Sequence, residues 1–420
     1  MHDCVHSTGN CLTHFYKNSG NTTAMQGLQK NRTQFYLLVL VNAFVGAMIG
    51  LERAILPGLG QQVFKLDANT ALLSFIMAFG LVKAVANYSV AILSKRFSRK
   101  QILLAGWIAA IPVPLLLMYA PNWGWVVAAN ILLGINQGLA WSATVIMKID
   151  LVGTQNRGLA MGINEFAGYL AVGLAGYLAS SIAARYGYAY YPFLPGLFFL
   201  LAGLLLTIIW VKDTGHFLVA ESQQSPLTLY KNIGWQTTWL HPNMGTVTLN
   251  GLVNNMNDAV VWGLVPLLLA SKGFSLVQIG VIAGVYPVLW GGLQLITGKL
   301  GDVFSKKYLI ATGMWVQAIG IWLFGNYHSY PLMLVAAALL GFGTALVYPN
   351  FLTVVAENSH PQQRAQALSI FRFWRDGGYV IGALLAGLLA DILGMQYAIE
   401  VMALLTALAG GLAQLRMKHA

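Results

Sequence analysis

Ala91-Ile-Leu-Ser-Lys-Arg-Phe-Ser-Arg-Lys100 and Gly298-Lys-Leu-Gly-Asp-Val-Phe-Ser-Lys-Lys307 are one stretch written twice, 207 positions apart. The same shift superposes Gly106 on Gly313, Gly134 on Gly341, Arg157 on Arg364, Gly187 on Gly394 and Gly203 on Gly410. Residues 91 to 210 thus recur as 298 to 417 without a gap. Composition then fixes the solvent. Apolar residues make up 57% of the chain and charged ones 9%, against about 25% charged in a soluble globule. The chain is therefore read as two membrane halves in tandem, which places any binding site at their interface.

Crossing about 30 Å of hydrocarbon takes roughly 20 apolar residues in a helix. Such stretches fall at 35 to 57, 71 to 93, 102 to 120, 124 to 147, 159 to 182 and 193 to 211. They fall again at 246 to 269, 276 to 297, 308 to 325, 331 to 355, 366 to 390 and 397 to 415. The fold class expected is an all-α polytopic membrane protein of twelve transmembrane helices, arranged as two pseudo-symmetric bundles of six. Its parts are a tail (1–34), a first bundle (35–211), a central loop (212–245), a second bundle (246–415) and a C-terminal tail (416–420). The central loop, with Gln223-Gln-Ser-Pro226, is short and polar enough to act as a tether.

Lys and Arg set the orientation. Of 24, 17 lie in the even-numbered connections, the central loop and the tails, while the opposite loops hold only Lys65, Arg185 and Lys272. By the positive-inside rule both termini are cytoplasmic, in a bacterial-style inner membrane. Topology and lipid headgroups also account for the net charge of +11, so the bilayer and not nucleic acid is the expected partner. Cys4 and Cys11 share a tail with His2, His6 and His14, and such ligands can chelate zinc or copper. A plain polar tail ahead of Met25 is the preferred reading; no metal and no cofactor is assigned. The tail lacks the apolar stretch of a cleaved signal peptide. The sequons at Asn21 and Asn31 fall on the cytoplasmic side and are discounted.

The repeats, the twelve spans and the loop after helix 2 resemble the major facilitator superfamily of secondary transporters, over essentially residues 35 to 415. That family's signature between helices 2 and 3 reads Gly-x-x-x-Asp-Arg-x-Gly-Arg-Arg/Lys. Here the first copy is degenerate: Ala91, Lys95 and Ser98 replace the two Gly and the Asp, while Arg96, Arg99 and Lys100 remain. The second copy keeps Gly298 and Asp302. The resemblance implies helices 1, 4, 7 and 10 around a central cavity, with help from 2, 5, 8 and 11. It implies alternating access driven by an ion gradient, with Arg96 and Asp302 as gating candidates. Drug antiporters of the family commonly carry an Arg three residues before Gln137 of helix 4; that position is Gly134 here, so the likeness to them is partial. The pairs Gly46/Gly50 and Gly134/Gly138 read first as close helix packing.

Charges inside the spans are costly and point to function. Eight are expected: Glu52 and Arg53 in helix 1, Lys83 in helix 2, Glu165 in helix 5, Asp258 in helix 7, and Arg372, Arg375 and Asp376 in helix 11. Equal numbers of each sign allow pairing, and buried salt bridges would account for about half of them. Asn250, Asn254, Asn257 and Asp258 form one stripe on helix 7, expected to face the cavity. Arg372, Arg375, Asp376 and Tyr379 share a face of helix 11, Lys83 and Asn87 one of helix 2, and Asn130, Gln137 and Trp141 one of helix 4. Asp258, near mid-depth, is the first choice for proton coupling because desolvation there acts on its charged form. Lys83 is placed to neutralise Asp258 or to receive an anionic substrate. Glu165 and Arg372, equivalent under the shift, are candidates for an inner gate. Glu52 and Arg53, near the outer end of helix 1, are candidates for an outer gate or a snorkelling anchor.

The eight His all lie outside the spans, so a histidine relay is not expected, and no phosphate-cradling Gly-Lys-Ser/Thr loop points to ATP. An enzyme reading has no nucleophile and base to rest on. Tyr286, Pro287 and Trp290 of helix 8 and Tyr348, Pro349 and Asn350 of helix 10 suggest an aromatic pocket for partly apolar small molecules, unless these rings only pack or face lipid. The expectation is a monomer that exports small organic compounds against protons. Proton-coupled uptake of an organic anion is the alternative, and a sensor or assembly component that keeps the fold without transport is a third.

Overall fold

The computed structural model describes residues 27–94, 96–152, 157–215 and 229–418. The metal-ligand and sequon positions before residue 27, Lys95 and the Gln223–Pro226 tether lie outside the described residues, as do the side chains of Ala91, Arg157 and Asp302. Among the described residues all regular structure is helical. Eleven helices are long and apolar enough to span a membrane, and helix 2 supplies a shorter apolar stretch, Ser74–Val90.

In the first half, helix 1 is Arg32–Gln62, helix 2 Ser74–Leu93, helix 3 Arg99–Met118 and helix 4 Trp123–Val152. Helices 5 and 6 are Arg157–Tyr186 and Leu194–Ile209. In the second half helices 7 to 10 are Pro242–Ser271, Leu276–Val303, Lys306–Asn326 and Tyr330–Glu357. Helices 11 and 12 are Pro361–Leu393 and Met395–Arg416.

Interruptions follow from sequence. Helix 1 breaks at Ala54 and Ile55 and restarts at Leu56 with Pro57 in its first turn, where a missing N–H costs nothing. Helix 3 is split by Pro112 and Pro114. Helix 4 widens into a π turn over Gln137–Trp141, a distortion that often marks a functional site.

Each repeat closes with its own ion pair: Arg99 Nε lies 3.7 Å from Asp150 and Lys306 Nζ 3.1 Å from Glu357. These pairs are equivalent under the 207 shift, so Arg99 and Lys306, which both follow helix 2 or 8 in their signatures, bind within their own halves. Of the other described cations of the first copy, Arg96 is exposed and Lys100 donates to the Ile208 carbonyl at 2.9 Å, again within its own half.

Glycine sets the helix spacing where the sequence suggested it. A Cβ on Gly46 would stand 2.2 Å from the Gly168 carbonyl, and one on Gly50 2.3 Å from that of Val172, so helix 1 lies directly on helix 5. Gly134 and Gly138 seat helix 4 on helix 2 in the same way, with Phe79 O and Ala86 Cβ at 2.8 and 2.5 Å.

The halves meet along two seams, helix 5 on helix 8 and helix 2 on helix 11. At the end opposite the termini both are tight. Gly173 and Gly284 cross with backbone 2.7 Å from the Cβ that Gly173 lacks, and a Cβ on Gly387 would lie 2.8 Å from Thr70 Cα. Asp391 at the tip of helix 11 accepts four hydrogen bonds from the first half: Asn69 N (2.6 Å), Asn69 Nδ2 (3.0 Å), Thr70 N (3.1 Å) and Thr70 Oγ1 (2.7 Å). That end of the molecule is closed.

Candidate functional site

Between the seams lies a cavity of about 40 Å³ bordered by helices 1, 2, 4, 5, 7, 10 and 11. It has room for about three waters, an order of magnitude below the volume of a drug-sized site, so a transport cycle would have to enlarge it. The two halves contribute opposed chemistry.

Helix 11 supplies the charged wall. Lys83 Nζ is 3.3 Å from Asp376 Oδ1, and Asp376 also accepts from Asn87 Nδ2 and from Asn255 Nδ2 at 3.4 Å. Arg375 Nη1 reaches the same carboxylate at 3.8 Å. One acidic group therefore serves two cations from different halves. The guanidinium of Arg375 stands 4.3 Å over the Tyr348 ring and 5.7 Å from Trp290, while its Nε and Nη2 have no acceptor. Arg372 borders the cavity one turn away.

The first half supplies the opposite wall. Glu165 Oε1 accepts from Trp141 Nε1 and Asn164 Nδ2, each at 2.9 Å, and Oε2 has no donor. Gln137, in the π turn of helix 4, donates to the Val45 carbonyl at 2.7 Å. Ser142 ties the turn to Asn87 at 2.7 Å. Tyr169 stacks on Trp290 at 3.7 Å, ring to ring across the seam.

Asp258 lies behind this cavity rather than in its wall. It is fully buried and accepts from the hydroxyls of Tyr286 and Tyr379, the latter at 3.1 Å. Tyr379 stands at the seam: it stacks on Trp262 at 5.9 Å, meets Phe79 edge-on at 5.7 Å and fits over Gly80, whose missing Cβ would lie 2.3 Å from its own. The Asp258 carboxylate thus holds a residue that bridges the halves.

Several expectations change. The helix 7 stripe does not face the cavity. Asn257 binds Gln317 at 3.1 Å and Thr406 at 2.8 Å inside the second half, Asn250 bonds to the Thr246 carbonyl of its own helix at 3.0 Å, and Asn254 contacts Asn255 at 3.5 Å. The apolar window of helix 7 is 94% buried. A helix enclosed on every side spends its polar residues on neighbouring helices. Lys83 pairs with Asp376 rather than Asp258, since Asp376 sits on helix 11, which packs directly against helix 2, and Asn87 of helix 2 also reaches it.

Arg53 is no snorkelling anchor. Helix 1 continues to Gln62, which leaves Glu52 and Arg53 inside the protein at 1% and 2% exposure. The Arg53 guanidinium sits 4.3 Å over Phe79 and 5.1 Å from Trp262 of the other half. Neither oxygen of the Glu52 carboxylate has a donor.

With helix 4 expected to end at residue 147, Lys148 falls among the cations of the connection that follows. Helix 4 runs on to Val152, and Lys148 is wholly buried with Nζ 3.0 Å from the Leu38 carbonyl. The missed signal was the apolar spacing of Val145, Leu151 and Val152 around it, which carries the helix past residue 147. Tyr169 was missed as well, although the repeat pairs it with Asp376.

A sequence profile of the Major Facilitator Superfamily matches residues 35–249 and 247–418. Over 148 residues the chain is 31% identical to the multidrug resistance protein MdtH of Shigella boydii and of Escherichia coli. That match covers 34% of this chain and 36% of the relatives, so it spans about a third of their length. Among solved structures, the human organic anion transporter MFSD10 (TETRAN) superposes with a TM-score of 0.67 at 15% identity, over 91% of this chain and 99% of that one. The nucleoside transporter NupG, solved as a point mutant, gives 0.73 at 11%, over 92% and 100%. At such identities the likeness speaks for the fold. With the profile matched twice in tandem, once per six-helix half, the chain belongs to the Major Facilitator Superfamily, a family of secondary membrane transporters.

Proposed function

We propose that the chain is a proton-coupled secondary transporter that exports small organic molecules by alternating access. Both termini are cytoplasmic, and one copy suffices for the cycle. The observation that carries this reading is the Asp258 carboxylate, held by Tyr286 and by Tyr379 at the seam. An ionised carboxylate only accepts hydrogen bonds, whereas a protonated one also donates. Protonation therefore replaces part of the grip on Tyr379 and loosens a residue packed on Phe79 and Gly80 of the other half. Proton occupancy and the inter-half contact are then linked, as coupling requires. Export is supported by the similarity of a 148-residue stretch to the multidrug resistance protein MdtH.

Uptake of an organic anion is the second reading, favoured by the acceptor-less nitrogens of Arg375 and the adjacent Arg372. Everted membrane vesicles, acid inside, carrying wild type or Asp258→Asn and challenged with compound pools, test both. Loss of the gradient on adding compound, in wild type alone, is the expected result. Acidification of de-energised vesicles on adding compound would mean symport and uptake. Equal gradient loss in the variant would remove Asp258 from the coupling path.

A further inference from the structure

The cavity contains two buried charges of opposite sign whose hydrogen-bonding capacity is only half used. Glu165 on helix 5 is 4% exposed, and one carboxylate oxygen has no donor. Arg375 on helix 11 is 5% exposed, and two of its three nitrogens have no acceptor. Both border the same cavity. They do not neutralise one another: Glu165 is held back by Trp141 and Asn164 and Arg375 is held over Tyr348, while Tyr169 of the lining stacks on Trp290 across the seam.

A buried charge with unmet hydrogen bonds is costly, and these two belong to different halves. A ligand with a single charge would satisfy the open groups of one and leave those of the other unmet. We propose that the substrate is a compact zwitterion, whose cationic group binds Glu165 Oε2 and whose anionic group binds Nε and Nη2 of Arg375. The rings that border the cavity, Trp141 and Tyr169 from one half and Trp262, Tyr348 and Tyr379 from the other, select a flat or short body between the charges. Since each charge is read by a different half, the ligand is itself the bridge that lets the halves close around it. Lys83 is not part of this recognition, because Asp376 and the Tyr379 ring already hold it. The proposal rests on the transporter reading above and names its substrate class.

The test is binding at equilibrium, with no gradient, to the full chain in lipid nanodiscs. Titration calorimetry compares two zwitterions of different charge spacing, phenylalanine and 4-(aminomethyl)benzoate, with 2-phenylethylamine, 3-phenylpropionate, benzylamine and benzoate. At least one zwitterion should bind tenfold or more tightly than both of its single-charge analogues. Glu165→Gln should abolish its advantage over the matched acid, and Arg375→Gln its advantage over the matched amine. Glu165→Asp should restore part of the first. Binding of neither zwitterion, equal affinities within a matched set, or an unchanged ratio in Glu165→Gln with an unaltered Tm would each overturn the proposal. Zwitterion binding without Asp258-dependent flux in vesicles would leave this assignment standing and remove the coupled-transport reading instead.

Discussion

Replacing Asp391 by Ala should open the end of the protein opposite its termini. The residue is solvent-exposed, yet its two oxygens accept four hydrogen bonds from Asn69 and Thr70 across the seam, at 2.6 to 3.1 Å. Bonds to a charged acceptor reach about 1.5–3 kcal/mol when buried, but exposure and screening put these near 0.5 kcal/mol each. Four give about 2 kcal/mol, or about thirtyfold in the ratio of closed to open forms. A form open at about 1% would rise to about 20%. The close crossings of Gly387 on Thr70 and Gly173 on Gly284 survive the substitution, so the closed form should remain the larger population. Spin labels at Val63 and Val277, exposed on opposite halves at this end, would report the distance distribution once Cys4 and Cys11 are replaced by Ser. A second, longer distance population should appear in Asp391→Ala and be weaker in Asp391→Asn, which keeps one acceptor oxygen. An unchanged distribution in a protein of unchanged Tm would refute the argument that these four bonds help hold the end shut.

Gly173→Val should act in the same direction by sterics, since its Cβ would lie 2.6 Å from Val288 Cγ2 and 2.7 Å from the Gly284 carbonyl. Overpacking of this kind costs about 1–3 kcal/mol, and because the strain exists only where helices 5 and 8 cross, the same labels should show the longer distance; a closed distribution like that of wild type would contradict the crossing. Asp213 gives a pH-dependent prediction outside the membrane. Partial burial pushes its carboxyl up, but the backbone N–H groups of Lys100 and Gly215, the Ser98 hydroxyl and Arg99 outweigh this and hold it below the usual value. A depressed native pKa adds stability above the unfolded value of about 3.9 and loses it as pH falls through the native one. Asp213→Asn should therefore lower Tm by a constant amount above about pH 5, the gap to wild type narrowing below about pH 4. A gap independent of pH would show that the charge of Asp213 does not carry the effect.

How much the sequence revealed depended on whether a signal was periodic or relational. Twelve apolar stretches and two glycine pairs are periodic, and they reappear as the spanning helices and as close crossings on helices 5 and 2. The polar face of helix 7 was equally clear in spacing, but spacing does not say which neighbour a face meets. Asn257 meets Gln317 and Thr406, because that side of helix 7 faces helices 9 and 12 of its own bundle. The snorkelling alternative for Arg53 fails because the apolar stretch does not end at Pro57: at the start of a resumed helix proline is tolerated. The Lys83–Asp376 pair joins residues 293 positions apart, and neither helix alone contains that information. Asn255, off the expected stripe, reaches Asp376 for the same reason.

The repeat itself would have carried the reading further than single helices did. Under the 207 shift, Trp141 corresponds to Tyr348, Glu165 to Arg372, Tyr169 to Asp376 and Val172 to Tyr379, and all eight border the cavity. Lys83 corresponds to Trp290, whose ring stacks on Tyr169. Duplication has thus preserved which positions look inward, while divergence has changed what stands there. The first half keeps rings and one acid where the second has a carboxylate, arginines and the tyrosine that holds Asp258. A cavity between two identical halves would present the same group from both sides and could not orient an asymmetric ligand. Divergence at paired positions gives this one an acidic side and a basic side, and in an interior where unpaired charge is costly that difference is retained only if something passing through, or the closing of the halves upon each other, satisfies both.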